Sequence, residues 1–211
     1  MTPSNDPDIE LRDRLADAMA AEAVFDGWSR AALQTAAAGL ALPEGEALRL
    51  FPKGPVAVLA FVSERADLRT VADMEAARVA TMKIRDRIRT AVRMRLERHG
   101  GQREAVRRGL SLLAFPFNAG EGLRLLYRTV DALWYAAGDA STDFNFYTKR
   151  ATLAGVYSAT VLYWLNDRSE GAEATWGFLD RRIDDVMKFE KLKARIGNVT
   201  PAAGRPAAAR R

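Results

Sequence analysis

Cysteine is absent from the 211 residues, which removes disulfides, thiolate metal sites and cysteine nucleophiles. Histidine occurs once, as His99. Any centre needing two imidazoles is therefore excluded, including di-iron sites built from paired Glu-x-x-His motifs. No apolar run reaches the ~20 residues that span a bilayer; the best candidate, residues 151–165, is uncharged but too short and suits a buried core helix. The first ten residues are acidic and have no apolar stretch, which fits neither a secretory signal nor an Arg-rich transit peptide. A bacterial cytoplasmic location is the expectation. Alternating β-branched runs are missing too, so strands are not expected.

What is present is helical period almost everywhere, in an all-α chain long enough for one domain with a proper core or for a small module fused to a larger one. Helices are expected from Ile9 to Phe25, from Ser29 as N-cap to about Ala38, and from Glu44 to Phe51. Further helices are expected from Pro55 to Val62, Val71 to Arg98, Arg103 to Leu113, Gly120 to Ala137, Ser141 or Thr142 to about Leu165, and Glu173 to Ile196. This divides the chain into a disordered start (1–9), a three-helix unit (10–54), a larger helical domain (55–196) and a disordered basic tail (197–211). His99, ahead of Gly100-Gly101, reads as a cation closing a helix C-terminus.

The net charge is +5 with a pI near 9.7, compatible with nucleic acid, anionic membrane or an acidic partner. The three-helix unit, ending in Leu50-Phe51-Pro52-Lys53-Gly54-Pro55, resembles the DNA-binding head of TetR-type regulators. Its third helix, however, carries Glu44 and Glu46 against the single Arg49, and these carboxylates would repel a duplex. Lys83, Arg85, Arg87, Arg89, Arg93 and Arg95 form a basic stretch around a stripe of Ile84, Ile88, Val92 and Leu96. It is either a solvated face or a surface for anionic lipid or an acidic partner. The helix 143–165 is apolar nearly all round and must be covered on every side. At its start Phe146 and Tyr147, beside Lys149 and Arg150, have the aromatic-plus-Arg make-up of an interface anchor. Paired acids such as Asp184-Asp185 occur, but no nucleophile and base stand together, so no catalytic residue is assigned.

The string Gly138-Asp139-Ala140-Ser141-Thr142-Asp143-Phe144-Asn145-Phe146-Tyr147-Thr148-Lys149-Arg150, between Leu133-Trp134-Tyr135 and the segment from Trp176 to Arg182, closely resembles the lipid-binding accessory protein family of ubiquinone (coenzyme Q) biosynthesis. The resemblance covers roughly residues 10–190 and is strongest from Leu113 onward. It implies a TetR-like homodimeric helical fold that does not regulate transcription, no cofactor or metal of its own, and an apolar pocket for isoprenoid quinone intermediates or a phospholipid. It further implies docking to the demethoxyubiquinone hydroxylase. The family's partner patch falls on Asp131, Leu133, Trp134, Phe146, Tyr147 and Arg150, with Phe146 where Trp is usual. The pocket is expected along Leu112, Phe115, Leu126, Leu153, Val156 and Tyr157. A ligand-responsive DNA-binding regulator is the alternative. The last helix, with Val186, Phe189, Lys191, Leu192 and Lys193, lacks the family's extra amphipathic helix and is expected to touch the inner membrane weakly and salt-sensitively.

Overall fold

The computed structural model describes residues 7–139 and 144–197 and, within these, the side chains other than those at 144, 145, 187 and 189–197. Among them there is no strand. Helix α1 (Pro7–Asp26), α2 (Arg30–Gly39) and the short α3 (Glu46–Leu50) precede α4 (Pro55–Ala76). After them come α5 (Ile84–Glu97), α6 (Arg103–Leu113), α7 (Ala119–Ala136), α8 (Phe144–Asn166) and α9 (Glu173–Gly197). Ser29 caps α2 as its position promised, its hydroxyl accepting from the Ala32 N–H at 3.0 Å. The expected cap at Ser141 or Thr142, residues 1–6 and the tail beyond 197 lie outside the described residues; Pro7–Ile9, expected to be disordered, are helical.

Two cores organise the chain. The first gathers Leu15, Met19, Trp28, Leu33, Leu50 and Phe51, and it is completed from beyond the three-helix unit by Val58 of α4 and Ala105 of α6. The Trp28 indole N–H donates to the Ala105 carbonyl at 2.8 Å, so the division at residue 54 does not separate two cores. The second core joins Met74, Ile88, Val92, Leu96, Val130, Leu133, Leu153, Trp164 and Leu179 from α4, α5, α7, α8 and α9. Helix α4 runs through both.

The expected long helix from Val71 to Arg98 is instead two helices, and α4 does not stop at Val62. Residues Ser63–Leu68 continue the helix despite their polarity because Asp67 finds a partner inside the bundle. The break comes at 77–83, where Arg78 adopts a left-handed φ of 51° and a 3₁₀ turn spans Val79–Thr81. No glycine or proline marks it. Arg87 holds it instead, donating to the carbonyls of Ala80 and of Met82 (2.9 Å), and to that of Ala137 at the end of α7 (3.1 Å). Val79 is buried in the second core, so tertiary packing overrides local helical preference.

Asp67 is the centre of a buried polar cluster. Its carboxylate accepts from Arg95 Nε at 2.7 Å and from the Thr129 hydroxyl at 3.0 Å. Arg95 donates on to the Ser63 hydroxyl (3.2 Å) and meets His99 Nε2 at 2.6 Å. Burial pushes the Asp67 carboxyl up against the pull of Arg95. Burial, then the Arg95 charge, holds His99 down to about 3. The reading of His99 as a helix-closing cation is therefore corrected: beside a guanidinium and partly withdrawn from water, the imidazole is held neutral.

Candidate functional site

The end of α7, the turn after it and the first turns of α8 form a compact constellation. Gly138 makes the turn with φ of 84°, which favours glycine, and a Cβ there would stand 3.0 Å from Arg87 Nη1, so that guanidinium would have to give by a few tenths of an ångström. The turn delivers Asp139 beneath α8. Arg150, itself buried, donates from Nε to Asp131 Oδ1 at 2.6 Å and from Nη1 to Asp139 Oδ2 at 3.4 Å. The other Asp139 oxygen takes Lys149 Nζ at 2.8 Å. The Arg150 guanidinium lies 3.3 Å from the centroid of the Phe146 ring, and Phe146 meets Tyr147 edge-on at 5.2 Å. Trp134 closes the group: its indole N–H donates to the Lys149 carbonyl at 3.2 Å, and the Lys149 ammonium sits 5.6 Å from its ring.

The consequence is a rigid base carrying an exposed aromatic. Arg150 cannot reorient without abandoning two carboxylates and a ring, and it fixes Phe146, against which Tyr147 leans. Tyr147 is 67% exposed, and Tyr135, four residues after the half-exposed Asp131, is also exposed. An exposed aromatic on a locked charged base has the make-up of a protein-interface anchor.

Five of the six residues expected in the partner patch come together here: Asp131, Trp134, Phe146, Tyr147 and Arg150. Leu133 does not; it is 1% exposed and packs in the second core, because its neighbours 130 and 137 face inward on the same side of α7. Sequence reasoning missed Tyr135 and the bridging role of Asp139. For Tyr135 the available signal was its place one helical turn after Asp131 on α7; Asp139 lies past the Gly138 turn, where helical spacing no longer applies.

The six residues expected to line a lipid pocket occupy three environments. Leu153 and Val156 are in the second core, with Leu126 and Tyr157 partly buried against it. Leu112 packs against the first core. Phe115 is exposed and stacks on the still more exposed Phe117 at 5.6 Å. Two grooves defined by described residues are bordered by none of the six. One, of about 540 Å³ between α8 and α9, runs past Leu162, Tyr163 and Phe178; the other, of about 590 Å³, lies between α1, α4 and α7. Of the expected membrane residues, Val186 packs partly onto the second core, while the side chains of Phe189, Lys191, Leu192 and Lys193 lie outside the described residues. No helix among the described residues is long and apolar enough to cross a membrane.

The charged features of the sequence are largely consumed within the fold. Arg49, the one cation of α3, is held in a fork by Asp8 (2.8 and 2.7 Å) and by Glu46. In the basic stretch Arg87 binds three carbonyls, Arg89 pairs with Asp86 and Asp180, and Arg95 is buried. Arg93 pairs with Glu97 at 2.7 Å and lies over Trp176 at 5.0 Å. A solvated or inward-bound face, not an open basic surface, is what these contacts describe.

Comparison with known proteins bears on the same region. Residues 119–190 match the COQ9 family model. The chain is 38% identical over 169 residues to the rat mitochondrial ubiquinone biosynthesis protein COQ9, covering 77% of this chain and 54% of the relative. It is 35% identical over 186 residues to the human protein of the same name, covering 85% and 58%. The chain thus spans little more than half the length of these relatives. Among solved structures, a TetR transcriptional regulator from Nitrosomonas europaea superposes with a TM-score of 0.70 at 24% identity, over 83% of this chain and 97% of the regulator. At that identity the likeness establishes a shared TetR-like fold.

Proposed function

We propose that this chain, which is of the COQ9 type over residues 119–190, is a non-enzymatic lipid-binding protein of ubiquinone biosynthesis. In this reading it holds an isoprenoid quinone intermediate and presents its head group to the demethoxyubiquinone hydroxylase. The observation that carries the reading is the exposed Tyr147 braced by Phe146 and Arg150, inside the segment that matches the family. The patch offers recognition and no chemistry of its own, so the metal and the oxidation belong to the partner. A prenyl tail gains about 0.8 kcal/mol per buried CH₂. It would enter between α7 and α8, where Leu126, Leu153, Val156 and Tyr157 must part to admit it. The α8–α9 groove, with exposed Leu162 beside the stacked Tyr163 and Phe178, supports homodimerisation through that face. The protein would work peripherally at the inner membrane of a bacterium, with α9 as the contact.

The test is binding to the purified hydroxylase. Tyr147→Ala should weaken it by about 30-fold, the loss of a central aromatic anchor, with an unchanged thermal midpoint. Wild-type affinity in that variant removes the patch from the interface. Native mass spectrometry of copurified lipids should find a prenylated quinone; phospholipid alone, or none, overturns the quinone assignment. The regulator alternative is disfavoured by the Arg49 fork, since Asp8 and Glu46 compete with a duplex for the one cation of α3.

A further inference from the structure

The groove between α1, α4 and α7 shares no lining residue with the patch. Its floor is apolar, made by Val56, Ala60 and Phe61, with the exposed side chains of Ile9 and Leu68 continuing it. Its walls carry five cations and three carboxylates, and the pairing is uneven. Arg65 is held by Asp13 (2.7 Å) and Asp17, Arg124 by Glu121 (2.5 Å), and Arg128 by Glu64. Arg12 and Lys53 are left over. Among the described residues no carboxylate lies within ion-pair distance of either. The Arg12 guanidinium is wedged 4.9 Å from the Phe51 ring and 4.6 Å from Phe61, and its Nε is buried without an acceptor.

A cation clamped on two aromatic rings at the edge of a hydrophobic trough, with no ion-pair partner among the described residues and only the field of Asp8, itself forked onto Arg49, acting on it, can take a further anion. Lys53 shares its field with Glu121, which Arg124 already neutralises, so the unmatched charge suits a single negative head. The trough, of about 590 Å³, has room for one long alkyl chain. We propose that this groove binds a long-chain monocarboxylate of the fatty-acid class, its head on Arg12 and Lys53 and its tail along Ala60 and Phe61. The site is independent of the quinone reading above. It joins α1 to the domain it packs on, so an occupant would also brace that junction.

The experiment uses the full chain freed of lipid, with sodium oleate displacing a fluorescent stearate reporter. Oleate should compete at least about tenfold better than oleyl alcohol, the value of one charge-assisted contact. Arg12→Met should lose about tenfold, and Lys53→Met, at an exposed position, carries the same test if Arg12→Met does not fold. Ala60→Trp, which fills the floor and leaves the cations in place, should abolish binding. Decylubiquinone, directed to the C-terminal helices, should leave oleate affinity unchanged. Equal affinity for oleate and oleyl alcohol, or wild-type oleate binding in the Arg12, Lys53 and Ala60 variants, overturns the site. Tighter binding of oleoyl lysophosphatidate than of oleate overturns the carboxylate and assigns a phosphate head instead.

Discussion

Lowering the pH should destabilise this protein through its one histidine. In the fold His99 is held down to about 3, by burial first and by Arg95 second, against an ordinary value of 6.5. Between those values the unfolded chain binds a proton that the folded chain refuses, so stability is complete above about pH 6.5 and falls as the pH drops. The slope is roughly 1.4 kcal/mol per pH unit, which gives a loss of about 2 kcal/mol by about pH 5. Carboxylates add their own dependence, but His99→Gln isolates the imidazole, because a glutamine carbonyl can still accept from Arg95 and has no charge to acquire. Urea unfolding of both proteins at neutral pH and at about pH 5 measures the difference. Wild type should lose about 2 kcal/mol more than the variant. With a single histidine in the chain, its imidazole resonance needs no assignment, and titration of the native protein near 6.5, or equal pH slopes in the two proteins, would refute the neutral imidazole.

Two further outcomes concern the patch itself. Arg150→Met should cost about 2–3 kcal/mol in urea unfolding, below the ~3–5 of a fully buried broken pair, because Lys149 still holds Asp139 and Asp131 reaches water; Arg150→Lys should recover only part of it, lacking the fork that meets both carboxylates. Gly138→Ala should cost about 1–2 kcal/mol through its positive φ and the approach to Arg87, and amide exchange at the α7–α8 junction should rise with it.

Much of this was legible from residue order. Ser29, the Asp26-Gly27 stop and the period of α7 fixed their helices, because cap and stop chemistry is local. The aromatic-plus-Arg start of α8 was visible as a candidate interface for the same reason. What escaped was long-range pairing. The break at 77–83 is written in Arg87, ten residues on and also bonded to Ala137. The continuity of α4 is written in Asp67, whose partner Arg95 is 28 residues away. Leu133 was placed with its neighbour Trp134 although adjacent helical residues point about 100° apart, and the burial of 130, 133 and 137 decides which of them faces inward. The expected pocket does not gather because Leu112 and Phe115 precede the turn at 114–118 that separates α6 from α7, and α6 packs chiefly on the first core through Ala105 and Leu112.

The same long-range pairing decides what the net charge of +5 can do. Polyanion affinity depends on cations that give up small counterions on binding, and a guanidinium already neutralised by a carboxylate or seated on a ring has little to release. Along the basic stretch that leaves Lys83, which makes no ion pair among the described residues, Arg85, whose nearest carboxylate oxygen is 3.7 Å away in Asp86, and Arg87, whose carbonyl partners carry no charge to neutralise it. Arg93, locked to Glu97 and Trp176, should be silent: Arg93→Gln should elute from heparin at the wild-type salt concentration, while Lys83→Gln with Arg85→Gln should elute earlier. A shift for Arg93→Gln as large as that for the pair would mean that the basic stretch acts as one open surface, and that its internal pairings do not persist in solution.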